Sequence, residues 1–108
     1  MDTYAVVIPA RNEIATIRDI AERSLAQVQR VIVIDDGSQD GTADAVRDLP
    51  IVLLVNATNQ GKGAALWRGI QQALTLGVSA VITLDADGQH APEDTDDRLI
   101  ALSRQSRA

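Results

Sequence analysis

The chain has 108 residues, with 15 Asp and Glu against 10 Lys and Arg, giving a net charge of −5. That length suits one ordinary domain, and an acidic balance repels the phosphate backbone, which argues against a nucleic-acid partner. With no cysteine, disulfide frameworks, thiolate metal sites and Cys nucleophiles are excluded, and the apolar runs fall short of the roughly 18 residues a membrane helix needs.

Hydrophobic residues make up 45% of the chain, a globular composition. No basic start followed by an apolar core resembles a signal peptide, so a cytoplasmic domain is the expectation. The only aromatic residues are Tyr4 and Trp67. A core of Val, Ile, Leu and Ala therefore follows, which suits parallel strands covered by helices.

The first predicted strand is Tyr4 to Ile8, a near-continuous apolar run of the kind buried on both faces. Ile14, Ile17, Ile20, Ala21, Leu25 and Val28 then form one stripe of an amphipathic helix. That helix is expected to start near Asn12, which can accept the first free N–H groups, with Glu13 at the positive end of its dipole. Val31 to Ile34 is the second strand. A short helix follows from about Gly41 to Asp48, with Ser38 or Asp40 available as cap and Pro50 ending it.

Ile51 to Val55 reads as a third strand. The next helix is predicted over Lys62 to Leu76, burying Leu66, Ile70 and Leu74 and stopping at Gly77. Trp67 lies beside that stripe and reads as core rather than as a stacking platform. The fourth strand is Ala80 to Leu84, and a last helix is expected after Pro92 with Leu99, Ile100 and Leu102 on its apolar side. The alternating order predicts a single α/β domain over residues 1–108, an open and mostly parallel sheet of about four strands with flanking helices.

In such sheets ligands bind beyond the carboxyl ends of the strands. The segments there are Pro9 to Glu13, Asp35 to Ser38, Asn56 to Lys62, and Asp85 to His90. All four are polar and fall on one edge of the sheet. Asp85 and Asp87, two residues apart at a strand end, can both turn toward one cation, and oxygen ligands of this kind suit Mg²⁺ or Mn²⁺. Gln89 adds a neutral oxygen at the next alternate position, with Gly88 easing the turn. A lone D-x-D is more often a solvated acidic turn; its place after a buried strand favours the metal reading.

Asp35 and Asp36 are costly at a buried strand end unless they meet a cation or hydrogen-bond donors, and a nucleotide offers such donors. The competing reading is turn chemistry, with Asp36-Gly37 making the bend and Asp40 the cap. Lys62, at the glycine-flanked start of a helix, can face phosphate or be an ordinary exposed lysine. The segment is not a P-loop, and no G-x-G-x-x-G follows the first strand, which counts against a dinucleotide oxidoreductase. His90, the only histidine, is given no catalytic role. Arg98, Arg104 and Arg107 read as a solvated face.

Taken together, Val6-Val7-Ile8-Pro9-Ala10-Arg11-Asn12-Glu13, Val33-Ile34-Asp35-Asp36-Gly37-Ser38-Gln39-Asp40-Gly41-Thr42, Asn59-Gln60-Gly61-Lys62-Gly63-Ala64-Ala65 and Leu84-Asp85-Ala86-Asp87-Gly88-Gln89-His90 resemble family 2 glycosyltransferases of the GT-A fold. Polyprenyl- and dolichyl-phosphate mannosyl- and glucosyltransferases are the most similar branch. The resemblance implies a nucleotide sugar, UDP- or GDP-linked, bound along this edge. Pro9, Arg11 and Glu13 would surround the nucleoside, with Asp36 on the base and Asp85 by the diphosphate; Lys62, from its place at a helix start, is a nucleotide-binding candidate beside them. Asp85 and Asp87 would hold the divalent ion, with Gln89 as third ligand.

Arg11 stands where many relatives carry Tyr, and Ala91 where they often carry Asp. Family members are more than twice this length, and the half after D-x-D usually supplies the acceptor site. What is implied is therefore a nucleotide-sugar-binding half, transferring a glycosyl group with inversion to an acceptor such as polyprenyl phosphate at the membrane. No catalytic base is assigned. A non-catalytic nucleotide-sugar module acting with a partner chain is the alternative, and a receiver-like Mg²⁺-binding signalling domain a more distant one. Exposed sheet edges make a homodimer a further expectation.

Overall fold

The computed structural model describes residues 3–87 and the backbone of 99–101. Its elements are β1 (Tyr4–Ala10), α1 (Ile17–Leu25), β2 (Arg30–Asp36), a 3₁₀ turn (Asp44–Val46), β3 (Val52–Asn56), α2 (Lys62–Thr75), β4 (Ala80–Thr83) and β5 (Leu99–Ala101). One sheet of order β3-β2-β1-β4-β5 results. The first four strands are mutually parallel, and β5 runs antiparallel to β4. A receiver-like domain has the order 2-1-3-4-5, so the topology removes that alternative.

Alternate strand residues point to opposite faces, and each face has its own core. Val6, Ile8, Val31, Val33 and Ile82 pack with Ile17, Ile20 and Ala21 of α1 and with Val46. Val7, Ile32, Ile34 and Val81 pack with Ala65 and Ala73 of α2. Continuous apolar strands are thus the consequence of two covered faces, as their composition indicates.

The α2 helix sits on the sheet through its small residues. Ala65, Gly69 and Ala73 are its buried positions, spaced four apart along one line of contact. Gly69 is required there, because an added Cβ would lie 2.4 Å from Val7 Cγ1 and 2.6 Å from Ile34 Cδ1. The predicted stripe of Leu66, Ile70 and Leu74 is consequently rotated to the half-buried flank. Trp67 falls on the far side and is 57% exposed, which corrects its reading as core.

Three other expectations change. Asn12 does not cap α1; it adopts a left-handed backbone with φ 54°, and the helix begins five residues later at Ile17. Ile14 accordingly lies before the helix and is exposed. The short helix expected over Gly41 to Asp48 narrows to the 3₁₀ turn. Finally, Leu99 to Ala101 form an edge strand rather than part of a helix, with Val81 opposite Ile100. A run of only a few apolar residues carries no period to separate helix from strand, and here it covers the otherwise unpaired edge of β4. The rest of the helix predicted after Pro92 lies outside the described residues.

Candidate functional site

The strand order reverses at β1, with β2 and β3 on one side and β4 on the other, and ligand sites of open α/β sheets lie at such a switch point. Pairing between β1 and β4 ends at Val7 and Thr83, whereas β1 continues to Ala10. Beyond that last pair the chains part. The opening is a cavity of about 300 Å³ lined by Pro9, Ala10, Arg11, Glu13, Asp36, Asn59, Gly61, Lys62, Ala65, Asp85, Ala86 and Asp87.

Every predicted site residue within the described chain is on that wall: Pro9, Arg11, Glu13, Asp36, Lys62, Asp85 and Asp87. Gln89 lies outside the described residues, as do Gly88 and His90. Ala10, Asn59, Ala65 and Ala86 join the wall without having been singled out for a ligand.

The loops are tied to one another in a closed circuit. Asn12 donates its N–H to Ser38 Oγ at 2.8 Å and accepts the Gln39 N–H on Oδ1 at 2.9 Å. The Glu13 N–H reaches Thr42 Oγ1 at 2.9 Å, and the Ile14 N–H reaches Asp40 Oδ2 at 3.2 Å. These bonds clamp the loop after β1 to the loop after β2. Asp40 also accepts the Thr42 hydroxyl and N–H. The Thr42 hydroxyl, outweighing the opposing cost of desolvation, holds the Asp40 carboxyl below the usual carboxylate range.

The loops after β2 and β3 meet at Asp36, which is 3% exposed. Its Oδ1 accepts the Asn56 amide at 2.8 Å and the Gln60 N–H at 2.8 Å. Its Oδ2 accepts the Gly61 N–H at 2.9 Å. Burial is the largest influence and pushes this carboxyl up, but the Gln60, Asn56 and Gly61 donors with the nearby Arg11 charge outweigh it, so the group is held below its ordinary value. Asp35 is likewise buried and accepts the Ser38 N–H at 3.0 Å. The donors that two adjacent buried acids need are thus supplied largely by the protein's own backbone. Turn chemistry and cavity lining coincide at Asp36.

Gly37 makes that junction close-packed. Its φ is +77°, and a Cβ there would lie 2.6 Å from the Asn59 nitrogen, so the two loops touch backbone to backbone. The circuit closes through the last loop. Lys62 Nζ pairs with Asp85 Oδ1 at 2.5 Å, and the Thr16 hydroxyl donates to the Ala86 carbonyl. Thr16 and Asn56 are the residues that sequence reading passed over. Thr16 has the signature of a helix cap but spends its hydroxyl on the neighbouring loop, and it makes no cap bond in α1.

Asp85 and Asp87 place two carboxylates on one cavity wall. Among the described residues no group of three His, Cys, Asp or Glu could enclose a metal ion. Two carboxylates fit Mg²⁺ or Mn²⁺, which are commonly held by one or two carboxylates and completed by phosphate oxygens and water. No helix among the described residues is long and apolar enough to cross a membrane.

Comparison with known proteins gives the family. The model for glycosyl transferase family 2 matches residues 5–107. The UDP-N-acetylglucosamine–dolichyl-phosphate N-acetylglucosaminyltransferase of Methanococcus voltae is 30% identical over 107 residues, covering 82% of this chain and 43% of its own. An undecaprenyl-phosphate 4-deoxy-4-formamido-L-arabinose transferase of Aeromonas hydrophila is 38% identical over 114 residues, covering 94% of this chain and 33% of its own. Among solved structures, glucosyl-3-phosphoglycerate synthase from Mycobacterium tuberculosis, in complex with Mn²⁺, UDP and glucosyl-3-phosphoglycerate, superposes with a TM-score of 0.66. It is 29% identical, and the match covers 84% of this chain and 36% of that one. The chain therefore spans less than half the length of these relatives, and its four parallel strands with flanking helices agree with the expected half of a GT-A fold. The chain belongs to family 2 of the glycosyltransferases.

Proposed function

We propose that this chain is the donor-binding part of a glycosyltransferase that holds a UDP- or GDP-linked sugar together with Mg²⁺ or Mn²⁺. The observation that carries this reading is that Asp36, Asp85 and Asp87, from two strands on either side of the switch strand, line one cavity. In this arrangement Pro9, Arg11 and Glu13 flank the nucleoside, and Asp36 accepts from the base. Asp85 and Asp87 would hold the cation, with Gln89 as the third ligand that the family resemblance implies. A bound divalent cation would supply positive charge to the diphosphate as it departs.

Lys62 stands at the start of α2, where the helix dipole and an ammonium group both favour a phosphate. No side chain caps that helix start, so its first-turn N–H groups add to the same field. The transfer would join an acceptor oxygen to the anomeric carbon while the bond to the diphosphate breaks, with inversion from the opposite side. A phosphate acceptor is already an anionic nucleophile and needs no base. The dolichyl- and undecaprenyl-phosphate acceptors in the relatives' names support a polyprenyl phosphate here.

A thermal-shift screen of UDP and GDP, each with and without Mn²⁺, tests the reading. The expected result is stabilisation that needs both nucleotide and metal and is lost in Asp87→Ala. Absence of any nucleotide-dependent shift, or an equal shift in Asp87→Ala, would overturn it.

A further inference from the structure

The hydrogen bonds around Asp36 set which base it can accept. We propose that Asn56, anchored by Arg68, restricts the Asp36 carboxylate to a single N–H donor and so makes the base site selective for uracil over guanine. The inference rests on the nucleotide-sugar reading above and concerns a feature that reading leaves open.

A carboxylate offers about four acceptor positions, two on each oxygen. Three are taken. Oδ1 is filled by the Asn56 amide and the Gln60 N–H, and Oδ2 holds the Gly61 N–H. One position on Oδ2 remains, on a carboxylate that lines the cavity. Uracil presents one N–H at N3, flanked by two carbonyl oxygens. Guanine presents two adjacent donors, N1–H and the N2 amino group, whose spacing calls for both oxygens of a carboxylate at once. Cytosine turns its N3 lone pair toward the same place. Uracil alone of the three meets one vacant acceptor position with a ring N–H, since cytosine could offer only its exocyclic amino group and would set its N3 lone pair against the carboxylate.

The Asn56 amide is fixed in the orientation this needs. Its Oδ1 accepts Arg68 Nη1 at 2.6 Å, which leaves its NH₂ for Asp36. Arg68 also donates to the Val55 carbonyl at 3.1 Å, so the guanidinium is itself anchored to β3. Both bonds to Asn56 would be lost if the amide turned over, because a donor would then face Arg68 and an acceptor would face Asp36. Arg11, on the same cavity wall, can donate to a uracil carbonyl. Asn56 is thus a positioning residue that acts through Asp36, and Arg68 acts through Asn56.

The test is titration calorimetry of UDP, GDP and CDP in the presence of Mn²⁺, on the full chain and on Asn56→Ala and Arg68→Ala. The parent is expected to prefer UDP over GDP and CDP by about fivefold or more, since a donor left unpaired in a partly buried site costs at least that factor. In Asn56→Ala an acceptor position on Oδ1 is released, so the UDP-to-GDP preference should shrink severalfold, with Arg68→Ala moving the same way by less. A merely structural role would weaken both nucleotides equally and leave the ratio unchanged. GDP binding as tightly as UDP in the parent would overturn the inference while leaving the donor site intact. Failure of all three nucleotides to bind would remove the donor site and this inference with it. If Asn56→Ala does not fold, the ratio in Arg68→Ala carries the test, and a parent without a UDP preference still overturns the inference.

Discussion

Asp36 joins two loops, so its replacement by Ala should cost stability before any ligand is considered. The substitution strips the acceptor from the Asn56 amide and from the Gln60 and Gly61 N–H groups. A bond to a charged acceptor contributes about 1.5–3 kcal/mol, but the carboxylate also carries its own desolvation cost, and water can reach loop donors once it is gone. About 1 kcal/mol per donor is the fair figure, or about 3 kcal/mol in all. Against a domain stability of about 5–15 kcal/mol that loss is large. With a urea m-value of about 1.5 kcal/mol/M it lowers the unfolding midpoint by about 2 M. Far-UV circular dichroism is the suitable probe, since Trp67 is 57% exposed and a poor reporter of the core. A midpoint within about 0.5 M of the parent would show that the three bonds do not hold the loops together.

Titration gives an independent check, because Asp36 is held below its ordinary value by donors that outweigh burial. Such a group stabilises the fold fully above the unfolded carboxylate range, and the contribution is lost as pH falls through the folded value. Asp36→Asn should therefore lose less stability than the parent on acidification below about pH 4, as followed by urea midpoints across pH. Gly69→Ala gains about 1 kcal/mol of helix propensity but places a Cβ 2.4 Å from Val7 Cγ1. Overpacking of about 1–3 kcal/mol wins, and a melting temperature that rises instead would refute the close seating of α2. In Lys62→Met, stability should change by less than about 1 kcal/mol, because the pair with Asp85 is largely exposed on the lysine side. Its nucleotide-dependent thermal shift should nevertheless fall, and an unchanged shift would count against a phosphate role for Lys62.

The order of elements was legible because parallel strands buried on both faces are continuous apolar runs, as in Val31 to Ile34. Where sequence reading went astray, contact decided rather than propensity. The stripe of Leu66, Ile70 and Leu74 has helical spacing, yet α2 seats itself through Gly69 because only a residue without a side chain lets the helix approach Val7 and Ile34. Apolar periodicity records which residues dislike water, not which ones permit the closest approach. Asn12 shows the same limit from the polar side. It has the chemistry of a helix cap, but its N–H and side chain are committed to Ser38 and Gln39 in the loop after β2. No local pattern reveals a bond between residues 26 or 27 positions apart.

The candidate site was more legible than the packing, for a physical reason. Polar side chains at strand ends have few structural alternatives in a parallel sheet, so their spacing alone brings Asp36, Asp85 and Asp87 to one cavity. What spacing cannot reveal is the kind of partner each acid finds. Asp36 is met by a fixed amide and two backbone N–H groups, neutral donors that cannot leave without opening the loops. Asp85 is met by the ammonium of Lys62, at the end of a flexible stem and 69% exposed. The first arrangement holds a carboxylate rigid and nearly saturated, which favours recognition of a particular base edge. The second rests in part on a lysine that is exposed and flexible, a partner whose own loss costs little. A cation arriving at Asp85 would release Lys62 toward the phosphate that accompanies it. On the donor-site reading proposed above, the rigid acid would serve the base and the exchangeable one the diphosphate.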